Sequence, residues 1–281
     1  MSEEPPDVLV VVGAGGMGQA IARRCGSGRQ LLLADIDREL LDAAAAALTA
    51  QGQSVAVEPV DVTSHEAVRR LAGCAASLGP VRYLAHTAGL SQAQASAEAI
   101  LKVDLSGAAF AIEEFGKVIA PGGAGLVIAS MAARFLARVD SKQRAQLLRT
   151  QADDLAGLPF ARAGQFANGA LAYGFAKLAV TIRVQAACAA WARRGARINS
   201  ISPGVISTPM GATELESDSA PMIRAMIGQS PAGRTGTPED VAAAAEFLFS
   251  PQASFITGTD LLVDGGVTAA LATGDLDLTA S

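Results

Sequence analysis

The sequence predicts an α/β fold on a doubly wound parallel sheet, and three observations carry that expectation. Short apolar runs alternate with longer helical patterns along most of the chain. Several of the runs read as continuous apolar stretches, as strands covered on both faces do. Their βα alternation implies right-handed crossovers, and so strands that run the same way.

The first strand is "VLVVV" at 8–12, broken by glycines and followed by a helix over 16–25. "LLLAD" leads to a helix over 37–51, whose alanine run at 43–47 is strong helix former. Next come "SVAVEPV" with a helix over 64–78, "VRYLAH" with a helix over 96–119, and "GLVIAS". After residue 165 follow a long helix around 171–194, the strand "ARINSIS", and a polar, methionine-bearing loop to about 230. A helix over 238–249 and the strand "DLLVD" close the pattern. Two segments depart from it. Residues 134–165 are charged, helical in the middle, and stand where a βα loop belongs. Residues 267–281 end in acidic and small side chains and are expected to fray.

A chain of 281 residues, half of them hydrophobic, buries a core of single-domain size, so one domain over 1–281 is expected. The net charge of −5 and the lack of any basic run argue against nucleic acid or an anionic membrane as partner and leave a small molecule. Cys25, Cys74 and Cys188 are odd in number and widely spaced, which fits reduced thiols and a cytoplasmic location. The N-terminus carries acids where a signal peptide needs positive charge, and no apolar run reaches the ~18 residues of a membrane span. His65 and His86 lack metal-ligand spacing, so no metal is expected.

Gly13, Gly15 and Gly18 form G-x-G-x-x-G between a strand and a helix. The first makes the turn, the second admits a pyrophosphate to the backbone, and the third lets helix and strand pack. The helix N-terminus adds partial positive charge toward the phosphates. This is a Rossmann-like dinucleotide site, with Met17 and Ile36 beside it. Asp35 ends the next strand 17 residues after Gly18, where a carboxylate accepts from ribose hydroxyls and repels a 2′-phosphate. NAD is therefore favoured over NADP. The plain alternative for Asp35 is a helix N-cap, a role Asp37 fills at least as well.

Tyr173 and Lys177 in "YGFAK" are four apart on one helix and share a face. A phenol is a poor base at its usual pKa of ~10, but a nearby ammonium favours the phenolate. Such a pair can exchange protons with an alcohol or carbonyl. Ser130 ends an apolar run 43 residues earlier and is either their partner or a strand-end hydroxyl bonded to backbone.

From Val8 to about Val267 the chain resembles the short-chain dehydrogenases/reductases. The matching pieces are the glycine turn, Asp35, "DV" at 61–62, "HTAG" at 86–89, "SMAA" at 130–133, "YGFAK", "ISPGVISTPM" at 202–210 and "VDGG" at 263–266. The resemblance implies that Asp61 and Val62 border the adenine and that Ala88 and Gly89 close over the cofactor. Pro203, Gly204, Val205, Ile206 and Thr208 then hold the nicotinamide carboxamide. It further implies that Ser130 bonds the substrate oxygen, Tyr173 is the general acid/base, and Lys177 binds the nicotinamide ribose and lowers the tyrosine pKa. It also implies a homo-oligomer, a dimer or tetramer.

Three departures stand out. "VGAGGMG" is one residue shorter than the family's T-G-x-x-x-G-x-G. Asp104 in "VDLSG" stands where the family has an asparagine that bends the helix and helps hold a water leading to the lysine. An anion there opposes the lowering of the tyrosine pKa, so activity is expected at higher pH. The insertion over 134–165 adds about 30 residues between Ser130 and Tyr173, on the family pattern. A similar arrangement, with "LAYGFAK", "AACAAWA" and "VDGG", resembles the bacterial 3α-hydroxysteroid dehydrogenase/carbonyl reductase subgroup. Phe135, Leu136, Leu158, Phe160 and Phe166 of the insertion, with Met210, Met222 and Met226, are expected either to form a lid over an apolar substrate or to pack the insertion onto the body. An alternative expectation is that the insertion blocks one family interface and leaves a dimer.

The expected activity is hydride transfer between NAD(H) and a secondary alcohol or ketone, apolar and cyclic. The alternative is a dinucleotide-binding regulatory or sensor protein without turnover. An epimerase or dehydratase is disfavoured because no enlarged C-terminal substrate domain follows "YGFAK".

Overall fold

Val8, Val10 and Val12 of β1 (Val8–Val12) join one apolar core, and Leu9 and Val11 join another on the opposite face. All five are essentially inaccessible, as a central strand covered on both sides must be. The computed structural model describes residues 5–93, 95–217 and 219–276. Beside β1 lie β2 (Gln30–Asp35), β3 (Ser54–Pro59), β4 (Val81–His86), β5 (Ile119–Ile128), β6 (Arg197–Pro203) and β7 (Asp260–Val263). Their order is β3-β2-β1-β4-β5-β6-β7, and every neighbouring pair is parallel. This is the doubly wound sheet the sequence predicts, in one domain.

Helices α1 (Gly16–Cys25), α2 (Arg38–Thr49) and α11 (Pro238–Phe249) cover the Leu9 face through Ile21, Leu41 and Val241. On the Val8 face lie α3 (His65–Leu78), α5 (Ala108–Val118) and α8 (Gly169–Ala192), contributing Leu71, Phe115 and Val180. Local chemistry sets the helix starts. Asp37 accepts from the Leu40 amide at 3.1 Å to cap α2, and Thr237 and Asp240 form a capping box on α11.

One helix over 96–119 is corrected to three pieces. A short α4 (Ala97–Ile100) runs into a π-helical turn over Leu101–Gly107 before α5 begins. The widened turn leaves the apolar spacing almost intact, so periodicity does not reveal it. Asp104 sits in its middle, its Oδ1 accepting from the Leu90 amide at 2.8 Å, outside the helix.

The segment over 134–165 begins in α6 (Ala132–Phe135), continues through α7 (Ser141–Arg149), and ends in three 3₁₀ turns at 152–157, 159–161 and 163–165. Leu147, Leu155 and Ala161 are buried in the core shared with α5 and α8. Phe160 and Phe166 meet Phe175 of α8 with ring centroids 6.0 and 5.1 Å apart. Leu158 joins the same core, so these three side chains pack the insertion onto the body. Phe135 goes elsewhere, joining Met131, Met222 and Met226 in a small separate cluster. Polar groups complete the attachment. Arg183 of α8 donates to the carbonyls of Leu147 and Thr150 at 2.8 and 2.6 Å and to Glu113 at 2.7 Å. His65 bridges Glu114 and Asp153 at 2.6 and 2.8 Å.

The expected loop to residue 230 contains α9 (Pro209–Glu214) and α10 (Ala220–Gly228). The start of the expected tail is ordered as α12 (Val267–Thr273), with Leu276 buried beyond it. The rest of that tail, 277–281, lies outside the described residues. Among the described residues no helix is long and apolar enough to cross a membrane.

Candidate active site

The strand order reverses between β1 and β4, the switch point beyond whose carboxyl ends such sheets leave a crevice. The glycine turn forms one wall. Gly13 has φ +101°, and a Cβ on it would lie 2.4 Å from the Ala88 amide nitrogen. A Cβ on Gly18 would lie 1.9 Å from the Gly13 carbonyl oxygen. Neither position tolerates a side chain, whereas Gly15 faces open space with nothing within 4 Å of its Cβ direction. Asp35 is tied to this turn, its Oδ2 accepting from the Ala14 amide at 2.7 Å and its Oδ1 from the Asp37 amide at 3.0 Å. Ile36 beside it is 71% exposed, while Val62 is buried against Gly107. Asp61 accepts from the amide and hydroxyl of Thr63 at 2.9 and 2.7 Å, shaping the turn after β3.

The opposite wall carries the acid/base candidates. Ser130 follows β5, its Oγ accepting from the Ala132 amide at 3.2 Å, and a hydrogen bond joins it to Tyr173. Lys177, one turn along α8, is buried with Nζ 5.5 Å from the centre of the Tyr173 ring and donating to the Ile128 carbonyl at 3.3 Å. Behind it lies Asp104, fully buried, with Oδ2 3.9 Å from Lys177 Nζ and without a hydrogen bond among the described residues. Burial raises the Asp104 carboxyl to about 6, with Lys177 and the Leu90 amide pulling it back down. Burial also pushes the Tyr173 phenol well up, the charges of Asp104 and Glu214 adding to it and the Ser130 hydrogen bond opposing them. His86 is buried with neither ring nitrogen bonded among the described residues, and burial, helped by Lys177, lowers its pKa to about 3. It is neutral at any working pH.

Met17, Gly89, Ser130, Tyr173, Lys177, Pro203, Gly204, Ile206 and Thr208 line one cleft, together with Leu90, Met210 and Glu214. Gly13, Gly15, Gly18, Asp35, Ile36, Asp61, Val62 and Ala88 lie along the turn and the ends of β2, β3 and β4, outside that lining. Val205 faces away, joining the Met131–Met226 cluster, while its carbonyl accepts from the Gly236 amide at 2.9 Å. Met131 donates its amide to the Pro203 carbonyl at 2.9 Å, so the serine loop and the proline–glycine loop move as one. The cleft encloses about 70 Å³ and does not reach the glycine turn, so it is only the Ser130–Tyr173 end of the crevice. Thr208, at the start of α9, comes within 3.1 Å of the Cβ direction of Gly16, so α9 closes the crevice against the glycine turn.

Residues 7–137 match the family model described as short chain dehydrogenase, and residues 141–268 match one described as Enoyl-(Acyl carrier protein) reductase. Over 264 residues, 94% of this chain and 96% of the other, the sequence is 43% identical to the short-chain dehydrogenase/reductase bsc3 of Alternaria brassicicola. The chain belongs to the short-chain dehydrogenase/reductase family. Its members are oxidoreductases that use a nicotinamide dinucleotide. Within that family it is 32% identical to 3beta-hydroxysteroid dehydrogenase 1 of Eggerthella lenta over 268 residues, 93% of each chain. A crystal structure of a short-chain dehydrogenase/reductase, glucose/ribitol dehydrogenase from Brucella melitensis, superposes with a TM-score of 0.73 at 28% identity, covering 94% of this chain and 98% of that one.

The dehydrogenase/reductase site fits such a cofactor on its own geometry, because Gly15 leaves space where the flanking glycines leave none. Sequence reading did not single out Glu214 or Ser91. Ser91 directly follows "HTAGL", but "GATELES" around Glu214 carries no signal that it faces the cleft.

Proposed function

We propose that this enzyme transfers a hydride between NAD(H) and a secondary alcohol or ketone with an apolar, cyclic frame. The observation that carries this reading is the convergence of Ser130, Tyr173 and Lys177 on the cleft that also contains Gly89 and the Pro203–Thr208 loop. The open face of Gly15 and the N-terminus of α1 would hold the pyrophosphate, Asp35 the adenosine ribose, and Lys177 the nicotinamide ribose. When bound, the nicotinamide supplies or accepts the hydride. Ser130 orients the substrate oxygen, and Tyr173 gives that oxygen a proton in reduction or takes one in oxidation. Leu90 and Met210 supply the apolar wall. The hydroxysteroid relative supports a cyclic frame, while the glucose/ribitol structure leaves room for hydroxylated ones.

Incubation with NADH and a panel of cyclic ketones, followed at the nicotinamide absorbance band, tests the reading. Binding without turnover across the panel favours the sensor alternative instead.

Two variants probe separate halves of the site. Asp35→Ala weakens NAD binding by about 10- to 100-fold, the value of hydrogen bonds to a charged acceptor, and narrows the preference over NADP. Unchanged affinity in a fluorescence titration removes Asp35 from ribose binding. Asp104→Asn acts on the proton chemistry. Above pH about 6 Asp104 is an anion whose charge holds Tyr173 protonated. A protonated phenol serves ketone reduction at neutral pH, whereas alcohol oxidation waits for its ionisation. Removing the anion therefore moves the rising limb of the oxidation profile to lower pH, by about one unit. An unmoved limb takes Asp104 out of the proton chemistry.

A further inference from the structure

Glu214 ends α9 and lines the cleft that holds Ser130 and Tyr173. Its Oε1 accepts from the Ser91 hydroxyl at 2.6 Å, and Ser91 is wholly buried, so the carboxylate is fixed from behind. Among the described residues Oε2 takes no hydrogen bond and no cation pairs with Glu214. The one cation lining the cleft, Lys177, turns instead to the Ile128 carbonyl and toward Asp104. Its negative charge also reaches the catalytic phenol, one of the influences that keep Tyr173 protonated. An ionised carboxylate is acceptor-only with about four lone-pair sites, and Ser91 uses one of them.

A pure latch between α9 and the loop after β4 would need only a neutral acceptor, whereas the half-buried Glu214 keeps a carboxylate oxygen free to accept from a donor in the cleft. Leu90 and Met210 line the same cleft with apolar surface. The site thus offers a proton-transfer pair, an apolar wall and a separate anionic acceptor.

We propose that Glu214 is a specificity residue that accepts a hydrogen bond from a hydroxyl group carried by the substrate away from the reacting carbonyl, and that it excludes anionic substrates. The substrate class is then a neutral cyclic hydroxyketone or the corresponding diol. In reduction the carbonyl carbon gains the hydride and its oxygen the Tyr173 proton, while the second hydroxyl keeps its own proton and is only bound. This inference rests on the proposed role of Tyr173.

The test is kcat/KM with NADH for three kinds of cyclic ketone on one frame: the parent, its positional hydroxy isomers, and a carboxylate-bearing analogue. The wild type is expected to prefer one hydroxyketone over the parent by about 10- to 100-fold, with the keto acid poorest. Glu214→Leu collapses that ratio. Glu214→Gln keeps part of the hydroxyl preference through its carbonyl acceptor but relieves the exclusion of the keto acid. A wild type that turns over the parent without preferring any hydroxyketone overturns the inference, as does an unchanged ratio in Glu214→Leu. Should that variant fail to fold, Glu214→Gln decides, because a keto acid still excluded as in the wild type overturns it equally. No turnover of any ketone while NADH binds removes the oxidoreductase reading and this one together.

Discussion

Tyr173→Phe lowers the rate of hydride transfer by about 100- to 10,000-fold, the usual worth of a positioned general acid or base, while NADH binding changes far less. The substitution keeps the ring and its packing and removes only the hydroxyl. Ser130 cannot replace it, because an alkyl hydroxyl with no base beside it neither gives nor takes a proton readily near neutral pH. Lys177 Nζ lies 5.5 Å from the ring centre and is engaged with the Ile128 carbonyl, so it too lacks access to the substrate oxygen. His86 is neutral, buried and outside the cleft lining. Single-turnover absorbance measures the rate and a fluorescence titration measures cofactor affinity. A rate within tenfold of wild type sinks the role of Tyr173 as acid/base.

The parts of this molecule that sequence reveals are those whose physics is local. Continuous apolar runs mark β1 and β2 because a strand covered on both faces has no polar side to show. β5 begins at Ile119, earlier than "GLVIAS", because Ile119 pairs with Val81 and "APGG" bulges out before pairing resumes at Ala124, a stretch that carries no apolar signal. The glycine turn is legible since each glycine answers a steric demand, visible again in the clash at Gly18 and the open space at Gly15. The π turn at Asp104 hides because one extra residue per turn barely disturbs the apolar spacing. Glu214 and Ser91 stand 123 residues apart and meet only because α9 folds over the crevice. The insertion was legible as an addition but not in its direction, since Leu158 and Phe160 suit a lid as well as a core. Its polar anchors decide the matter, and they point to the body.

Arg183→Met lowers the stability of the folded chain by about 3 kcal/mol and its Tm by roughly 6–10 °C, with kcat/KM unchanged at temperatures below the transition. The guanidinium is buried and satisfies three acceptors at once, the carbonyls of Leu147 and Thr150 and the Glu113 carboxylate. Methionine fills much of the volume but donates nothing, so those carbonyls lose their partner inside the protein. Glu113 keeps the Ala152 amide at 3.0 Å and its side chain is 30% exposed, which holds the loss near the lower end for a broken buried pair. His65 makes the attachment of the insertion depend on pH, in wild type and variant alike. Burial disfavours its charged form, but Asp153 and Glu114 outweigh burial and raise its pKa above the usual value. That contribution is complete below about pH 6.5 and is lost as pH rises through the folded-state value. The variant should therefore unfold at a still lower temperature at pH 9 than at pH 6. Thermal unfolding at both pH values, with kinetics alongside, separates the two roles of the insertion. A falling kcat/KM at unchanged Tm would make it a lid, because loosening a lid alters substrate capture without unfolding the sheet. A falling Tm at constant kcat/KM makes it part of the body, and leaves substrate choice to α9 and the residues it brings to the cleft.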